Sequence, residues 1–92
     1  MIVRILGEGQ LEVDDVAADE LNALDAALEK AVNEGNEQAF RPALVALLDR
    51  VRALGTPLAE DSLEPSDSIL PRADADLDEV RNMLSDEGYI TG

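Results

Sequence analysis

The sequence predicts an α+β fold: an N-terminal β-hairpin packed on an antiparallel helical hairpin, then a short C-terminal third helix, with room for extra short strands. Three observations carry this reading. Apolar residues alternate with polar ones on both sides of Gly7-Glu8-Gly9. They then recur at steps of three and four from residue 16 to residue 54. The period breaks over residues 56–72 and returns after Asp76. Ninety-two residues make one domain, divided as hairpin 1–13, helical hairpin 16–54, irregular segment 56–72 and third helix 76–87.

In the hairpin, Val3 and Ile5 flank Arg4, while Leu11 and Val13 flank Glu12. Ile2 and Leu6 make the first strand apolar on both faces, which places it inside a small sheet or beneath a helix. Asp14-Asp15 ends the hairpin and offers an N-cap, and Asp19 and Glu20 suit the positive end of a helix dipole. Leu21, Leu24, Leu28 and Val32 trace one face of the first helix. Ala23, Ala26, Ala27 and Ala31 widen that face, and Asp25, Glu29 and Asn33 mark the wet side. Gly35 closes the helix.

Asn36 caps a second helix running to Leu54, with the stripe Phe40, Leu44, Leu47, Leu48, Val51 and Leu54. Pro42 falls within it, where a regular interior loses about 3 kcal/mol. Because Phe40 continues the stripe, a kink at Pro42 is expected rather than a separate turn over 37–40. Residues 56–72 hold three of the four prolines, pinned to the core by Leu58, Leu63, Ile69 and Leu70. Ser68-Ile69-Leu70 suits a short strand ended by Pro71. Asp76-Leu77-Asp78-Glu79 opens the third helix, with Leu77, Val80 and Leu84 inward and Gly88 as its stop, and Tyr89-Ile90 suits one more extended stretch.

Composition narrows function. There is no histidine and no cysteine, so the chain lacks a side chain that titrates near neutrality, a thiolate nucleophile, and the usual ligands of zinc, copper or haem. Only one Tyr, one Phe and no Trp are present to line a pocket that could drive two carboxylate pKa values apart. No catalytic, cofactor or metal residues are assigned. Gly7-Glu8-Gly9 lacks the further glycine of a dinucleotide loop, where Glu12 stands instead. Asp74, Asp76 and Asp78 alternate like a calcium loop, yet the glycine and glutamate positions hold Glu79 and Ser85.

The formal charge of −14 opposes nucleic acid and an anionic leaflet, and suits a basic protein surface. No run reaches the ~18 apolar residues that span a bilayer, so no direct membrane insertion is expected. The start at Met1 resembles no export signal, and a cytoplasmic location is expected. Ile69, Leu70, Tyr89 and Ile90 either cover the helical core or present a small apolar patch to a partner.

The opening Met1-Ile-Val-Arg-Ile-Leu-Gly-Glu-Gly-Gln10 is similar to the start of the phage shock protein A-associated (PspAA) family. So are Leu21–Leu28, Phe40-Arg41, Arg50-Val51-Arg52, Gly55-Thr56-Pro57-Leu58, Pro65-Ser66-Asp67, Ile69-Leu70-Pro71 and Glu87-Gly88, in order along the whole chain. Pro42 departs from the small helix former expected there. The resemblance implies a non-enzymatic accessory protein without a cofactor. Its partner would be a PspA-family protein, the coiled-coil membrane remodeller of the envelope stress response, through which it reaches the membrane. A self-associating structural domain, forming a homo-oligomer without PspA, is the alternative.

Overall fold

The computed structural model describes residues 1–59 and 65–83. Its elements are β1 (Ile2–Ile5), β2 (Gly9–Glu12), a 3-10 turn (Asp15–Ala17), α1 (Ala18–Glu34), α2 (Glu37–Leu54), β3 (Thr56–Pro57), β4 (Ser68–Leu70) and α3 (Leu77–Met83). The α+β architecture is the expected one. β1, apolar on both faces, is indeed interior: the sheet order is β3-β2-β1-β4. β1 pairs antiparallel with β2 through Val3↔Leu11 and Arg4↔Gln10, and parallel with β4 through Arg4↔Ile69 and Ile5↔Leu70.

This register sorts the side chains. Val3, Leu11 and Ser68 share one face of the sheet with Ile5 and Leu70, and Val3, Ile5 and Leu70 are fully buried in the core. Leu21, Leu28, Val32, Phe40, Leu44, Leu47, Leu48 and Val51 from the helical hairpin complete that core, with Val80 from α3. On the opposite face Ile69, Arg4 and Gln10 form one cross-strand row. Ser68 Oγ is buried without a hydrogen-bond partner among the described residues. An unmet hydroxyl opposes folding, so Ser68→Ala should raise stability by up to about 1 kcal/mol, read from urea denaturation.

The helices follow their caps. Asp14 accepts from Val16 N, but the turn it caps is 3-10, and α1 begins only at Ala18. Gly35 adopts φ +65 and donates to Ala31 and Val32 carbonyls, a conformation that costs glycine little. Asn36 Oδ1 accepts from Ala39 N at 3.2 Å, as its position predicted. Asn36→Ala should cost about 1 kcal/mol, measurable as a lower denaturation midpoint with unchanged slope. α2 runs without a break through Pro42, so no separate turn forms over 37–40. Pro42 and Gln38 are both exposed, so the Gln38 carbonyl that proline leaves without a helical donor is on the solvent side of α2.

Two expectations for α1 fail. Asp25, assigned to the wet side, is only 4% exposed. Ala23, Ala26 and Ala27 are exposed, and of the four alanines only Ala31 joins the core. Of the described residues within 56–72, Thr56–Pro57 and Ser68–Leu70 supply both outer strands of the sheet, the second at the place where a short strand was expected. Leu63, Leu84, Gly88, Tyr89 and Ile90 lie outside the described residues.

Side-chain ties lock the layers. Arg50 at the end of α2 forks onto Glu20 at the start of α1, which fixes the pair as antiparallel. Arg41 donates to the carbonyls of Ala73 (2.7 Å) and Ala75 (2.8 Å), holding the β4–α3 connection against α2. Arg81 donates to Val32 O at 3.1 Å, placing a cation at the negative end of α1.

Candidate interaction surface

The outer face of the sheet, away from the helices, is the surface on which the sequence-predicted contact residues can be judged. β3 lies beside β2 and β4 lies beside β1, at opposite edges of the sheet. Leu58 N donates to Gln10 O at one side, and Asp67 N donates to Ile2 O at the other. Ser66 sits over the outer face, where its hydroxyl accepts from Gln10 Nε2 at 2.8 Å. Gln10 is therefore 9% exposed despite its polar, outward position. Asp67 anchors the return, its Oδ2 accepting from Ile2 N at 2.7 Å.

Among the described residues, none lies hydrogen-bonded over the β4 half of this face as Ser66 does over Gln10. Ile69 is 48% exposed and neighbours Arg4, also exposed, in the cross-strand row. Leu70, offered with it as a contact residue, is fully buried and belongs to the core. A period of two separates them: successive strand residues point to opposite faces. Tyr89 and Ile90, the other two candidates, lie outside the described residues. Arg4 was not among the candidates, although its alternation with Val3 and Ile5 put it on the outer face. Val16 and Val45 are further exposed apolar residues, on the corner before α1 and the outer side of α2.

At the hairpin end, a cleft of about 600 Å³ is lined by Arg4, Glu8, Gln10, Arg52, Pro57 and Leu58 among others. Arg52 bridges Glu8 and Asp49 here. Hydrogen bonding from Arg52, with its charge, holds the Glu8 carboxyl below its ordinary value of 4.5. Glu8 in turn raises Arg52. A carboxyl lowered by folding stabilises the fold above its ordinary pKa, and that contribution disappears as pH falls through the lowered value. Both side chains are 37% exposed, so screening limits the pair to a few tenths of a kcal/mol. The stability gap between the native chain and Glu8→Gln, followed by urea titration, should therefore close between about pH 6 and pH 3.

The three aspartates that alternate like a calcium loop have structural duties. Asp76 Oδ1 accepts from Glu79 N at 2.8 Å as the cap of α3. Asp74 faces Arg72 at 3.6 Å, and Asp78 faces Arg81 at 4.0 Å. Among the described residues, no helix is long and apolar enough to cross a membrane.

Comparison with known protein families matches residues 1–92 to one described as PspAA, PspA-Associated protein. No curated protein and no solved structure matches.

Proposed function

The chain belongs to the PspA-associated protein family, and from that membership we propose that it is a non-enzymatic adaptor for a PspA-type coiled-coil protein. It binds that partner and modulates its assembly or membrane action in the envelope stress response. The observation that carries this reading is the match of the family over the full chain. Charge supports it in kind: at −14, encounter is fastest with a basic protein surface and slowest with nucleic acid or an anionic leaflet. Composition supports it too, since no histidine or cysteine is present to move a proton or attack a substrate. On this reading the protein is cytoplasmic and reaches the membrane only through its partner.

The test mixes the purified chain with a purified PspA-type protein. Light scattering after size exclusion should show a co-migrating complex whose stability falls with salt, and a changed size distribution of the partner's assemblies. Separate elution together with unaltered assemblies would sink the proposal.

A further inference from the structure

We infer that Arg4 and Ile69, on the outer face of the sheet, are the docking point for a mixed-charge helix of the partner, one that offers a carboxylate to the guanidinium beside an aliphatic side chain. The inference rests on the adaptor reading and gives it a surface.

The use of arginine in this chain singles out one position. With 21 acidic side chains against seven basic ones, a basic group finds an acidic partner easily. Arg50, Arg52, Arg72 and Arg81 each meet a carboxylate of the chain. Arg41 is held by the carbonyls of Ala73 and Ala75. Among the described residues, Arg4 alone of the arginines has neither a side-chain hydrogen bond nor an ion pair, and it is exposed. Its backbone is fixed on both sides, paired with Gln10 in β2 and with Ile69 in β4. A cation on so rigid a base loses little freedom when a ligand arrives.

Its surroundings suit an aliphatic neighbour. Ile69, next to it across the β1–β4 pair, is 48% exposed. On the other side Arg4 borders the cleft of about 600 Å³, whose wall includes Pro57 and Leu58. A carboxylate held in the fork of the guanidinium is thus flanked by apolar surface.

The field of the molecule selects the occupant. A nucleic acid or a lipid surface is negative along its whole extent, so a chain of charge −14 repels it around this one point. A coiled-coil helix instead sets Glu and Lys beside its apolar seam. Its acidic residue meets Arg4, its basic residues meet the carboxylates around, and an aliphatic residue meets Ile69. Net charge then draws the partner in, and Arg4 fixes its register.

Binding of the full chain to an immobilised, purified PspA-type protein, read by surface plasmon resonance at low salt, tests this. Arg4→Glu should weaken binding by about tenfold or more, since a like charge replaces the matched one. Arg4→Gln, which keeps the length and removes the charge, should weaken it several-fold, as should Ile69→Ala. Lys30→Glu makes the same charge change on the exposed side of α1 and should cost less than about twofold. Circular dichroism confirms that each variant is folded. Native-like binding by Arg4→Glu and Arg4→Gln, or an equal loss in Lys30→Glu, overturns the docking point and leaves the adaptor reading standing. A native chain that does not bind at all removes both.

Discussion

Leu44→Ala should lower the stability of this chain by about 3 kcal/mol, within the range of about 2–5 found for buried leucines. Leu44 is fully buried in the middle of α2, within the single core that joins the helices to the sheet. Truncation removes the transfer free energy of the deleted carbons and leaves a cavity. The surrounding residues are held by a paired sheet and an antiparallel helical pair, so little collapse can fill it. For a domain this small such a loss shifts the melting temperature down by about 15 °C, readable by circular dichroism. Val45→Ala, one residue away but 43% exposed, should change stability by less than about 0.5 kcal/mol. Equal effects at the two positions would mean that the helix does not bury the face described.

Gly55→Ala should destabilise by about 1–3 kcal/mol, and its sign is as informative as its size. Gly55 has an ordinary φ of −89, so alanine fits the backbone conformation. On that ground alone, restricting the unfolded chain would stabilise by about 0.4–1 kcal/mol. Packing decides otherwise. A Cβ at this position lies 2.8 Å from Val51 O and 2.9 Å from Leu11 Cβ. Neither neighbour is free to give way: Val51 O accepts from Gly55 N at 2.7 Å, and Leu11 is paired with Val3 and Pro57. The added methyl must push the end of α2 off β2. Urea denaturation of the variant checks this, and a stabilised protein would contradict the close approach.

Local signals explain why much of this architecture was legible. Gly35, Asn36 and Asp76 each act within three or four residues of their own position, so capping chemistry marks the helix ends without knowledge of the rest. Apolar residues on both faces of β1 likewise marked an interior strand. Charge misled at Asp25. The steps Leu21, Asp25, Leu28, Val32 lie on one helical stripe, and geometry placed the carboxylate inward although its polarity argued for water. Alanine was equally ambiguous: it favours helix on either face, so Ala23, Ala26 and Ala27 carried no directional information.

Long-range pairing was the other blind spot. Nothing near Gln10 signals that Ser66 will cover it, and nothing near Ser68 signals a parallel partner in β1. For the contact surface, residue type suggested Ile69 and Leu70 equally. Only the register separated an exposed side chain from a core one.

The return of Asp67 to Ile2 spans 65 positions of the chain. The β1–β2 hairpin and the α1–α2 pair need only neighbours close in sequence, so they can assemble early and quickly. The fourth strand must wait for a large loop to close, and the entropic barrier of that closure falls on the last step of folding. Until then the central strand is itself an unprotected margin, open to any extended polypeptide nearby. The period between synthesis of the helices and docking of Ser68–Leu70 is thus the interval in which this molecule is most prone to mispairing.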